Sequence, residues 1–291
     1  MVTPGFRNID REVFVRKRSV LSAAMMLMLL ATAIPAMAVD VTPPRRDEPG
    51  VFGVSVGAEY SSGDYGTSSD TYIWYFPFSL RYERNDWFFR LTVPYLIVSG
   101  PGNVVIMGGS GMGSHQPGMG GGGTVTTTGS RTESGLGDII GTVSYTLQRG
   151  ASGRPGIDLT GKIYLGTASE TKGIGTGENN YAVQLDLAQD VGIITLFGSG
   201  GYRVSGDAPG TSYKDVLYGS VGLERDFNRK TVGGALDVQQ AVVPGGDAFA
   251  ELTGYLTVRP AKDAKLTAYL LLGLTDAAPD FGVGLTYAWF Y

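Results

Sequence analysis

The sequence predicts an all-β chain, a transmembrane antiparallel up-and-down β-barrel of about twelve strands. Three observations point there. Apolar and polar residues alternate with a period of two over segment after segment, as in strands whose two faces meet different surroundings. The connections between segments are alternately short and long. Charged residues make up 17% of the chain, below the roughly 25% of an ordinary globular protein, so part of the surface is expected to face something other than water.

The chain opens with a segment of the kind removed on export. Arg16, Lys17 and Arg18 form a basic start, Val20 to Ile34 an apolar run, and Ala36-Met37-Ala38 a small-x-small cleavage site, which makes residues 1–38 a signal peptide. The run is shorter than the roughly 20 residues a spanning helix needs; a retained anchor is the alternative. Removing five basic and two acidic side chains leaves 18 against 25, a formal charge of −7. That argues against a nucleic-acid partner. There is no Cys, hence neither a disulfide framework nor a lipid-bearing cysteine. An exported, cysteine-free, strand-rich chain fits the outer membrane of a Gram-negative bacterium.

Residues 39–50, VDVTPPRRDEPG, read as a periplasmic tail, and 51–291 as the barrel. Twelve alternating segments follow, near 51–60, 70–84, 87–99, 135–149, 155–168, 179–189, 193–205, 214–227, 230–243, 247–259, 264–275 and 280–291. Short or charged turns such as Asn85-Asp86 and Asn228-Arg229 follow the even-numbered segments. Longer Gly-rich loops, among them 61–69, 169–178, 206–213 and the 35-residue stretch 100–134, mostly follow the odd ones. Short turns at one end and long loops at the other is the organisation of an outer-membrane barrel.

The two parities have distinct chemistry. In KLTAYLLLG, Leu266, Ala268, Leu270, Leu272 and Leu274 oppose Lys265, Thr267 and Tyr269; the apolar set is expected to meet lipid and the polar set a lumen. Tyr72 and Trp74 at one level, and Tyr82, Trp87, Phe227, Trp289 and Tyr291 at the other, suit the two aromatic girdles of a membrane barrel. The final segment, FGVGLTYAWFY, needs a lipid-facing apolar stripe and closes the sheet on the first strand. It is also the expected contact for the outer-membrane assembly machinery. The barrel is expected to be a monomer.

The stretches SGLGDIIGTVSYTL, LTGKIYLGTASETKGIGTGENNYAVQLDLAQDVG and LFGSGGYRVSG carry a Gly-Leu-Gly-Asp strand start, a Gly-Thr-Gly loop and a Gly-Tyr-Arg strand. In these the chain resembles the outer-membrane transporter family of the phenol-degradation meta-pathway type. The resemblance implies a barrel that passes small, often aromatic or apolar, compounds, and brings no catalytic residues with it.

Counting back from the Asn85-Asp86 turn pairs Pro77 with Pro94 and Arg81 with Arg90. Neither proline donates to a ladder, so the two mark either a lateral seam for an apolar solute or a local kink or bulge. The facing arginines are unfavourable unless an anion or carboxylate lies between them. Glu83, Glu59 and Asp138 share their parity. The pair reads either as a basic constriction that attracts anions or as an ion-pair network bracing the lumen. The lumen-lining set that would set selectivity is Arg81, Arg90, Glu83, Asp138, Lys162, Arg203, Asp237 and Glu251, with Asp158, Asp186, Glu224, Asp226, Arg259 and Lys265 on the same parity. Twelve strands so lined predict a narrow passage.

In the stretch 100–134, Val104 to Met107 form an apolar run able to fold inward as a lid, and Met107, Met112, His115 and Met119 offer soft ligands without anything to order them. No metal or cofactor is expected. GIGTGE and GSGMGS lack the Lys-Ser/Thr pair of a phosphate loop. A lipid-cleaving barrel enzyme would depend on His115, the sole His; no catalytic residues are assigned. The expected function is passive uptake of a small compound, of aromatic or apolar type, through a channel; the alternative is a structural barrel without an open pore.

Overall fold

The computed structural model of the chain describes residues 50–65, 69–100, 131–207 and 213–291. The lid residues Val104 to Met107 and the soft-ligand set Met107, Met112, His115 and Met119 lie outside them. Thirteen strands follow in chain order: β1 (Val51–Gly63), β2 (Thr71–Arg84), β3 (Trp87–Gly100), β4 (Arg131–Leu136), β5 (Ile139–Gln148), β6 (Gly156–Leu165), β7 (Asn180–Val191), β8 (Ile194–Val204), β9 (Val216–Phe227), β10 (Lys230–Gln239), β11 (Phe249–Ala261), β12 (Ala264–Gly273) and β13 (Phe281–Phe290). Each pairs antiparallel with its neighbours, and β1 pairs with both β2 and β13, so the sheet closes. β4 and β5 both pair with β3 and together form one wall strand, giving a twelve-stranded barrel.

Turn chemistry sets the strand order. Two-residue turns join β2 to β3 and β9 to β10, and their first residues, Asn85 (φ 58°) and Asn228 (φ 65°), hold the left-handed backbone that Asn tolerates. Gly192 (φ 64°) does the same between β7 and β8. These turns define a turn end of the barrel, and the longer connections a loop end.

Parity holds around the wall. Phe52, Val56, Trp74, Phe78, Leu91, Leu185, Leu223, Val283 and Leu285 are exposed on the outside, whereas Glu59, Thr92, Lys162, Gln184, Arg203 and Glu251 are buried inside. An apolar exterior this extensive would be a severe liability in water and is the natural surface in hydrocarbon. At the turn end Trp87 packs on Tyr145 (4.8 Å between centroids) and Trp289 on Tyr291 (5.2 Å), while Tyr60 meets Trp74 (5.1 Å) toward the other end.

The wall weakens at the two prolines. Pro77 and Pro94 face each other in the β2–β3 ladder. The β1–β2 register lapses between Val56↔Phe78 and Glu59↔Tyr75 and resumes unchanged. The β3 pairing passes from Tyr95↔Leu136 to Thr92↔Ile140, so Gly137-Asp138 holds one extra residue, a bulge, with the Gly137 N–H donating to the Pro94 carbonyl (2.9 Å). A Cβ on Gly57 would meet the Pro77 ring and one on Gly137 the Pro94 ring, so each proline is seated on a glycine. Packing closes the wall where the ladder bonds are missing.

Inside, aromatic rings lie flat across glycines of the next strand. Tyr269 covers Gly284, Tyr255 covers Gly233, Tyr218 covers Gly201 and Phe197 covers Gly222; a methyl group at any of these glycines would occupy the ring's place. Gly284→Ala is therefore expected to displace Tyr269, strip the buried Glu59 carboxylate of its phenol donor and cost about 1–3 kcal/mol. Gly161→Ala, with open space at its Cβ, is expected to change stability by less than about 0.5 kcal/mol. Urea unfolding in lipid vesicles, followed by tryptophan fluorescence, measures both.

Candidate functional site

The barrel encloses a cavity of about 440 Å³, within the roughly 300–1,000 Å³ of small-molecule sites. Arg81, Arg90, Asp237, Glu251, Glu224, Lys265 and Arg259 reach it between Ser and Thr hydroxyls. Register arranges these charges in rows. Because strands tilt in a closed barrel, a row of directly paired residues climbs as it goes round the wall. One such row runs Arg81, Arg90, Thr142, Lys162, Ala182, Arg203. It starts three residues from the β2–β3 turn and ends beside Val204, the last residue of β8. Two residues along each strand, about 7 Å away, runs a neutral row of Ser144, Thr160, Gln184, Gly201, Tyr218 and Gln239. The next inward row is acidic: Asp158, Asp186, Ser199, Ser220, Asp237, Glu251. The lumen is thus striped, with a basic and an acidic ramp separated by a neutral one.

The facing arginines are reconciled by their neighbours. Arg81 pairs with Glu83 and stacks over Phe290 (4.7 Å) and Phe88 (5.6 Å); Arg90 lies over the same Phe88 ring at 4.9 Å. One ring thereby serves both guanidiniums. The other two carboxylates of that parity go elsewhere. Glu59 accepts from the Tyr269 hydroxyl at 2.6 Å, and Asp138 accepts from the Ala168 N–H at 3.0 Å.

The remaining predicted residues are spread along the wall. Lys162 donates to Gln184 (2.8 Å) and lies 5.7 Å over the Tyr218 ring. Asp237 stands directly across from Glu251. Arg203 is buried at the upper end of the basic row. Four of the eight, Arg81, Arg90, Asp237 and Glu251, line the cavity itself. Lys162 and Arg203 are packed into the wall, Glu83 sits with Arg81, and Asp138 is held at the bulge.

The connection between β6 and β7, residues 166–179, was not among the residues singled out from the sequence as reaching the lumen. It turns inward. Ala168 and Ile174 are buried against Tyr65, Ile73, Tyr75, Leu96 and Val98 in a dry cluster at the loop end. The strap is fastened by Ala168 N–H to Asp138, by Thr167 Oγ1 to the Gly137 carbonyl (2.9 Å) and by Lys172 Nζ to the Ser134 carbonyl (2.8 Å). A single 3-10 turn, Glu170–Lys172, ends on Gly173 in the left-handed region (φ 67°). A side chain at Gly135 would strike Ile174, and one at Gly175 would strike Ala168. The Gly-Leu-Gly-Asp and Gly-Thr-Gly motifs are therefore the two halves of one contact. Their shared glycine richness is the sequence signal that the two stretches approach closely.

No known family's sequence profile matches the chain, and no curated protein matches it in sequence. Its fold is similar to that of the COG4313 outer membrane channel from Pseudomonas putida F1, with TM-score 0.63 and 12% identity over 87% of this chain and 100% of that one. The P. putida toluene transporter TodX aligns over 83% of this chain and 89% of its own at 10% identity, but with TM-score 0.40. The barrel class that the short motifs suggest is the class the COG4313 channel has.

Ile174→Asp places a carboxylate in the dry cluster, which it is expected not to tolerate. The strap should detach while the wall persists. Limited trypsin digestion of the folded barrel is expected to cut after Lys172 at least tenfold faster than in the parent.

Proposed function

We propose that the protein is an outer-membrane channel for passive uptake of a small solute. The observation that carries this reading is the charged 440 Å³ cavity inside a closed, lipid-compatible wall. A purely structural barrel has no need of a hydrated interior with segregated charge. The dry cluster under the strap supports a closed state at the loop end, from which the passage opens as the strap lifts. Residues 1–38 direct export and are removed, the apolar exterior meets outer-membrane lipid, β13 presents the chain to the assembly machinery, and the barrel acts as a monomer. Arg81, Arg90 and Glu83 form the constriction at the turn end, and Asp138 acts through the strap.

A sideways exit to the bilayer draws support from the lapsed pairing at Pro77 and Pro94. The axial route is favoured, because both prolines are packed on glycines while the cavity lies among inward residues of β1–β3 and β7–β13.

Planar-bilayer recording of the refolded, leaderless chain tests the proposal. The parent is expected to give small, intermittent conductance and Ile174→Asp a several-fold larger one. Replacing Arg81 and Arg90 together by Ala is expected to shift the reversal potential in a salt gradient toward cation preference. Zero conductance from both the parent and the strap variant, with the barrel folded, would favour the structural role.

A further inference from the structure

Arg203 is 2% exposed, yet among the described residues nothing accepts from its Nε or Nη2. These are not two arbitrary nitrogens. Their N–H bonds lie parallel along one edge of the guanidinium, the edge whose spacing matches the two oxygens of a carboxylate. A buried guanidinium is normally matched along that edge, because an unmet charged donor in a dry site is costly. Asp186, a carboxylate on the adjoining strand β7, is already engaged by Thr160 (2.8 Å) and by Gln184.

The groups around Arg203 repeat the pattern. Its electrostatic neighbours are the phenols of Tyr164 and Tyr218. The Tyr218 hydroxyl is itself buried and without a hydrogen-bond partner among the described residues. The Tyr218 ring lies over Gly201 on the strand that carries Arg203. Behind these donors stands an apolar wall of Ile140, Tyr164 and Ala182 packed with Tyr218. Parallel N–H donors, a phenol donor and an apolar flank together select a ligand with two acceptor oxygens, negative charge and a greasy body.

We propose that Arg203 and Tyr218 form a carboxylate subsite at the upper end of the basic row, specific for small organic acids with an apolar body. The carboxylate takes both parallel N–H groups of Arg203 and a third hydrogen bond from Tyr218, while the body lies along Ile140, Tyr164 and Ala182. From there the row leads past Lys162 to Arg90 and Arg81 in the open cavity, so the anion moves between cationic stations. The subsite rests on the channel reading and narrows its substrate class.

Calorimetric titration of the folded, detergent-solubilised protein with benzoate, and with benzamide as the uncharged isostere, tests it. Benzoate is expected to bind at least tenfold more tightly than benzamide. Arg203→Met should weaken benzoate at least tenfold, and Arg203→Lys nearly as much, because an ammonium lacks the paired edge. Tyr218→Phe, which keeps the ring over Gly201, should weaken it by a smaller factor and guards against misfolding of the arginine variants. Folded parent protein that takes up no benzoate at millimolar concentration, or that binds it as well after Arg203→Met, overturns the subsite. Conductance without benzoate binding removes the subsite and leaves the channel; benzoate binding without conductance in parent or strap variant does the reverse.

Discussion

Every peptide N–H and C=O that faces hydrocarbon must find its partner inside the wall, and the pairing of β1 with β13 meets that demand where an open sheet would fail. Their ladder runs from Gly53↔Phe290 to Ser62↔Phe281, and Phe52 and Tyr291 extend it by two further backbone bonds. Closure fixes the rest. Once the sheet has no edge, each side chain belongs to one of two solvents, and a one-residue slip anywhere would exchange them. The single extra residue at Gly137-Asp138 is tolerated because Pro94 has no N–H for a partner to accept there, so the bulge forfeits little.

The same closure dictates how charge is carried inside. A strand contributes an inward residue every second position, so like charges on paired strands fall side by side, as Arg81 with Arg90 and Asp237 with Glu251. Neighbours of one sign repel unless something screens them. Phe88 offers its ring face to both arginines; Thr142 and Ala182 space Lys162 from Arg90 and Arg203. Phenols serve the acidic side, Tyr269 on Glu59 and Tyr255 on Glu224, both at 2.6 Å. Each of those phenols reaches its carboxylate because its ring lies flat over a glycine. Gly284 and Gly233 thus answer the need to hold Glu59 and Glu224 in the lumen.

Strand positions and their parity were legible in the sequence because a barrel wall has only two environments and repeats them with period two. The Pro77–Pro94 and Arg81–Arg90 pairs followed from one turn, since Asn85-Asp86 leaves a single register. What did not follow was anything depending on distance across the lumen. Parity places Glu59, Glu83 and Asp138 on one face, but which carboxylate meets Arg81 depends on reach and on what else competes. Glu83 lies on the same strand, two residues away, whereas Glu59 is taken by Tyr269 and Asp138 by the backbone of the strap. The charge rows were hidden for a related reason: each runs across six strands, and no local window of sequence contains two adjacent members except at a tight hairpin.

The strap itself shows how a loop becomes part of an interior. GTASETKGIGTGEN is polar and Gly-rich, the composition of an external loop, and one isoleucine is its only large apolar residue. Burying a single side chain stabilises a closed conformation by about 1.5–3 kcal/mol, and the three anchoring hydrogen bonds add about 0.5–1.5 kcal/mol each. Against this stands the ordering of fourteen residues, two of which, Gly173 (φ 67°) and Gly177 (φ 72°), come from the most permissive backbone of all. A closure held by one apolar anchor and a handful of polar ones is shallow, in keeping with the channel proposed above; a permanent plug would be expected to bury several such anchors.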